Sequence, residues 1–189
     1  MFPKTFDPLP LGTALGLFGV GVFAMSLVSL GADNVGYARA EWTARLALVL
    51  AAPAIVLYVA RPAPLGDWWR AYWTAGLLAY LLHFWWAVVV VYQVDLDAII
   101  ARQGWVAATN ALVTILWIID VVAAWLPWPQ TGLWLLILRF VNWALVTVRF
   151  IAASAIFRDD TLPRALGIGL GVAVLAALLL RKPVARPAA

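Results

Sequence analysis

Six apolar runs, each roughly 20 residues long, recur along this chain. A run of that length matches the hydrocarbon thickness of a bilayer. Inside lipid the backbone must satisfy its own polar groups, so each run has to be a helix. The runs are 10–30, 43–60, 69–94, 105–125, 131–157 and 162–180. Residues are 66% hydrophobic and only 12% charged, against about half and a quarter in soluble domains. The sequence therefore predicts an all-α, polytopic integral membrane protein. It has about six transmembrane helices in a compact bundle, or five if one of the two shortest runs fails to cross. No connection is long enough to fold alone, so 1–189 is expected to be a single membrane domain.

Proline and tryptophan mark the ends of these runs. Pro8 and Pro10 open the first, Pro62 and Pro64 follow the second, and Pro127 and Pro129 make the turn before the fifth. Pro163 sits where a helix's first turn tolerates it. Pro53 alone falls inside a run, which predicts a kink. Trp68, Trp69, Trp105, Trp125 and Trp128 stand at run ends, where amphipathic rings meet the headgroups. Trp85, Trp86, Trp117, Trp134 and Trp143 lie deeper, available to lipid, a neighbouring subunit or a flat cofactor.

Lys and Arg near the run ends set orientation. With the N-terminus inside, Lys4, Arg61, Arg70, Arg181, Lys182 and Arg186 are cytoplasmic. Arg39, Arg45, Arg102, Arg158 and Arg164 then lie outside. The concentrated tail Arg181, Lys182, Arg186 tips the balance toward both termini in the cytoplasm, in what reads as a prokaryotic inner membrane. A net charge of +4 without a basic domain excludes nucleic acid as a partner, while the tail suits anionic lipid. The first run is longer than a signal-peptide core and other runs follow, so it is expected to be a retained span.

Chemistry-bearing residues are few. There is no cysteine and one histidine, which removes zinc-thiolate, Fe–S and bis-histidine haem chemistry from this chain. Both lysines lie outside the runs, so no retinal Schiff base forms within the bundle. No phosphate-binding glycine loop and no Ser-His-Asp arrangement is present. Asp95 and Asp97 lie in a short amphipathic stretch expected to rest on the outer interface, and two carboxylates alone do not make a metal site. No metal site and no enzyme activity are expected. No internal repeat of the kind built into many transporters is found. Gly12-x-x-x-Gly16 and Gly167-x-x-x-Gly171 are small-residue pairs that let helices approach closely.

Ionisable residues at membrane depth are expensive and often functional. Asp120 lies seven residues before Pro127, and Arg139 lies eight after Thr131. At 1.5 Å per residue both stand roughly 10–12 Å from one turn, which predicts an Asp120–Arg139 ion pair. Arg139, Asn142 and Arg149 share roughly 80° of helix arc and form a polar stripe. Asn110 lies about as far from the turn as Arg149, so the two are candidates for a second polar layer. One reading is a stapled hairpin. The other is an anion or lipid-headgroup site, with Arg149 lacking an obvious carboxylate partner.

His83 sits in the middle of the third run, in Ala79-Tyr-Leu-Leu-His83-Phe-Trp-Trp86. At that depth it needs a partner such as Tyr80, a polar group on another helix or a metal. The Ala-x-x-x-His spacing with following tryptophans resembles the pigment-binding helix of bacterial light-harvesting polypeptides. The resemblance covers roughly ten residues and one span of six. It implies that His83 is an axial ligand to bacteriochlorophyll magnesium, and that Ala79 makes room for the ring.

Three functions follow as expectations. The first is a non-catalytic accessory or structural subunit of a larger membrane complex, an energy-converting one among the candidates, with lipid and other membrane subunits as partners. The second is a pigment- or haem-binding protein using His83, with no cofactor as the simpler alternative. The third is a small anion- or lipid-binding or transport protein using Arg139, Asn142 and Arg149.

Overall fold

The computed structural model describes residues 7–60, 65–127, 130, 132–156 and 160–181. Lys4, Arg61, Pro62, Pro64, Trp128, Pro129, Thr131, Arg158, Lys182 and Arg186 lie outside the described residues, as do the expectations placed on them. The described chain forms seven α-helices and no strand. They are α1 (Pro8–Ser29), α2 (Val35–Ala60), α3 (Asp67–Trp85), α4 (Leu96–Gln103), α5 (Trp105–Trp125), α6 (Leu133–Ile151) and α7 (Thr161–Leu179). Wider π-helical turns extend α3 over Trp86–Val91 and α6 over Ala152–Ile156. Six of these helices are long and apolar enough to span a membrane, with α4 the exception. An even number of crossings puts the start of α1 and the end of α7 at one end of the bundle, called here the terminal end.

Local chemistry explains the boundaries. Asp7 caps α1 by accepting the Leu9 N–H at 3.0 Å, and Pro8 occupies the first turn, where no N–H is needed. After the third span, Gln93 and Val94 both adopt positive φ (51° and 61°). That conformation is strained for a β-branched residue and reverses the chain sharply. Asp95 then caps α4, accepting the Ala98 N–H at 2.9 Å. Asp95 thus serves as a cap. Asp95→Ala removes about 1 kcal/mol from this exposed helix, visible as faster amide exchange across 96–103 with the spans unchanged.

The helix that carries the second run begins at Val35, eight residues before Thr43. Arg39, Glu41 and Arg45 lie within α2 because each charge is met where it stands. Arg39 donates to Ser29 Oγ at 3.2 Å and covers the Trp86 ring at 4.8 Å. Arg45 pairs with Glu41 at 3.7 Å and with Asp160 at 3.8 Å, over the ring of Trp42. Helix α2 runs as one element through Pro53.

Helices α2 and α3 form the centre. Ala47, Ala51 and Ala54 on α2 are fully buried, as are Ala71, Ala75 and Ala79 on α3. Small residues let two backbones come close where lipid gives no hydrophobic incentive to associate. The closest approach is at Gly76, where a Cβ would stand 2.8 Å from Ala51 Cβ and 3.0 Å from its Cα. Gly167 does the same on α7, where a Cβ would lie 2.8 Å from the Ala155 nitrogen in the π-helical turn. Gly171 is in ordinary contact with Ile151. Gly12 and Gly16 behave differently from the expectation of tight packing. A Cβ at either would meet nothing within 4 Å, because α1 turns that face away from its neighbours.

Candidate functional site

Two polar layers cross the bundle. The first is built on the hairpin of α5 and α6. Asp120 is fully buried and Arg139 is 3% exposed, and Arg139 Nε lies 3.3 Å from Asp120 Oδ1. The other carboxylate oxygen accepts from Trp73 Nε1 at 2.9 Å and from Asn142 Nδ2 at 3.2 Å. Arg139 also donates to Gln130, through its side-chain oxygen and, at 3.5 Å, its backbone carbonyl. The guanidinium lies 5.3 Å above the ring of Trp69. Trp69 is therefore buried beside the arginine, whereas the sequence placed it at the interface. Three donors on one carboxylate make a tightly held staple.

The second layer lies toward the opposite end, around a cavity of about 290 Å³. Its polar wall comes from Glu41 and Arg45 on α2, Tyr80 and His83 on α3, Asn110 on α5 and Arg149 on α6. Val113, Trp117, Val146 and Phe150 supply an apolar wall. Arg149 donates to the Asn110 side-chain oxygen. It makes no ion pair among the described residues. The π-helical turn of α6 contributes Ala153 and Ser154, and such turns recur at functional sites. Here the turn also explains the close seat of Gly167.

The two layers meet through aromatic rings. Trp73, which donates to Asp120, packs on Trp117 at 4.7 Å between centroids. Trp117 packs on Tyr80 at 5.5 Å, and Tyr80 on His83 at 6.0 Å. The indole nitrogen of Trp117 and the Oδ1 of Asn142 are buried without a hydrogen-bond partner among the described residues.

His83 Nδ1 lies 2.8 Å from the Ala40 carbonyl. A carbonyl only accepts, so Nδ1 carries the hydrogen and its partner is the backbone of α2. The light-harvesting resemblance requires open space over Ala79. Ala79 is instead fully buried within the bundle, which leaves no face there for a flat ring. Among the described residues no group of three or more His, Asp or Glu is placed to hold a metal ion.

Asp120, Arg139 and Asn142 thus share one layer and Asn110 and Arg149 the other. Gly12 and Gly16 belong to neither. Trp73, Gln130, Glu41, Arg45 and Tyr80 join these layers without having been singled out by sequence as site residues. Their only signal was indirect: Trp73 falls one helical turn after Trp69, and Gln130 sits in the turn of the charged hairpin. Fold and layers together define a polytopic helical membrane protein in which Arg139 is paired with Asp120 and Arg149 has no ion pair among the described residues. The chain matches no family model, no curated protein and no solved structure.

Proposed function

We propose that this chain is a non-catalytic membrane protein that binds a small anionic amphiphile, a carboxylate or phosphate on an apolar body, in the cavity at Arg149. One observation carries the reading. Arg149 lies on a membrane-spanning helix and lines a cavity of about 290 Å³ with no carboxylate paired to it among the described residues. Arg149 is half-buried in the cavity wall, and a bound anion supplies the counter-charge that no described carboxylate gives it. The lining also fits. Asn110 orients the guanidinium, while Val113, Trp117, Val146 and Phe150 accept an apolar body. The volume lies at the low end for small-molecule sites, which favours a short chain.

The accessory-subunit role belongs to the same proposal. Such a protein would hold its ligand within a larger assembly, with lipid and other membrane subunits against exposed apolar residues such as Phe23, Trp85 and Trp134. The terminal end, with its basic tail, is proposed to face the cytoplasm of a prokaryotic cell.

Calorimetric titration of the detergent-solubilised protein with octanoate and with octyl phosphate tests the reading. Arg149→Ala weakens binding about 10- to 100-fold, the weight of a charge-assisted hydrogen bond. Arg149→Lys keeps the charge and loses less. Unchanged affinity in Arg149→Ala, with an unchanged melting transition, overturns the site.

A further inference from the structure

A second cavity, of about 330 Å³, opens at the terminal end between α2, α6 and α7. Its lining includes Tyr58, Gln130, Arg139, Trp143 and Arg181. It is separate from the Arg149 cavity, and the two share no residue.

Three features distinguish it from a gap that lipid tails fill. Arg139 is 3% exposed yet has donors to spare. A guanidinium carries five N–H groups, and the hydrogen bonds to Asp120 and Gln130 engage three. Tyr58 is held in place by stacking on Trp143 at 5.3 Å, and Trp143 is itself tied to the Ile55 carbonyl at 3.0 Å. The Tyr58 hydroxyl has no hydrogen-bond partner among the described residues. Finally, no carboxylate lines the cavity, and Arg181 makes no ion pair among the described residues. The Asp120 charge offsets Arg139, so Arg181 leaves the cavity with an excess positive charge.

We propose that this cavity binds a phosphate group. The donors come from three segments: the Tyr58 hydroxyl from α2, Arg139 from α6 and Arg181 from the end of α7. Donors that line one cavity from separate helices suit a tetrahedral oxyanion with several acceptor oxygens better than a planar carboxylate with two. The cavity opens at a span end, where Tyr58 and Arg181 stand, with Arg139 deeper in its floor, and basic pockets between helices at this level take anionic headgroups. The same chemistry admits free phosphate.

The experiment uses the full chain in detergent. Native mass spectrometry measures retention of phosphatidate against phosphatidylcholine with the same acyl chains, and calorimetry measures inorganic phosphate. The structure predicts preferential retention of phosphatidate, phosphate binding, or both. Tyr58→Phe removes one hydroxyl and no charge, and combined with Arg181→Gln it lowers the binding that is observed about tenfold or more. Phosphatidate that phosphate does not displace marks a lipid headgroup site, and displacement marks a free-anion site. Arg149→Ala leaves this binding unchanged, so failure at the other cavity and failure here are told apart. The proposal is overturned if phosphatidate is retained no better than phosphatidylcholine and phosphate does not bind, or if the double variant binds as well as the wild type.

Discussion

Replacing Asp120 by alanine lowers the stability of the bundle by about 3–5 kcal/mol, the cost of leaving a buried charge without its partner. The magnitude follows from what remains. Arg139 keeps its charge at 3% exposure, while Trp73 Nε1 and Asn142 Nδ2 lose their acceptor. The ion pair itself contributes little, because desolvation offsets most of the Coulomb attraction. Membrane hydrogen bonds are also individually modest. A double variant separates the two effects. Asp120→Leu with Arg139→Met removes both charges and keeps apolar volume, so it recovers the part of the loss due to the unpaired charge and leaves the part due to Trp73 and Asn142 losing their acceptor. Thermal unfolding in one detergent checks both. If Asp120→Ala melts within about 1 kcal/mol of the wild type, the staple described here does not hold the hairpin.

The second large effect is expected at Gly76. Gly76→Val costs about 3 kcal/mol, the upper end for overpacking, because its Cβ would press on the Ala51 backbone and not on a side chain that can swing away. The α2–α3 contact would have to open. Gly12→Ala is the contrasting case. It meets open space, so it is neutral or stabilises by up to about 1 kcal/mol through helix propensity. Melting temperatures of the two variants in parallel decide the matter. Equal effects at both glycines would contradict the packing.

The two glycine patterns show where sequence reading stopped. Gly12-x-x-x-Gly16 and Gly167-x-x-x-Gly171 carry the same signature, yet only the second reaches a neighbour. Spacing along a helix says which residues share a face. It does not say which way the face turns. The central α2–α3 contact was hidden for a related reason. It is built mainly from alanines, and alanine at i and i+4 is too common in such a chain to stand out. The Asp120–Arg139 contact was legible because a tight turn fixes the depth of both residues, so arithmetic along two helices is enough. Arg149 against Asn110 followed the same logic farther from the same turn. His83 was not legible in this way, because its acceptor is a backbone carbonyl on a helix 43 residues earlier.

The sequence by itself determined the membrane class, the number of spans and the pairing within the α5–α6 hairpin. These depend on run length, backbone satisfaction in lipid and short-range helix geometry. Only the tertiary structure decided how α2, α3 and α7 close around that hairpin. It placed Trp73 on Asp120, turned Ala79 inward and Gly12 and Gly16 of α1 outward, and made cavities at Arg149 and at Tyr58. Those outcomes rest on the rotation and approach of helices distant in sequence, which small-residue packing sets and local periodicity does not encode.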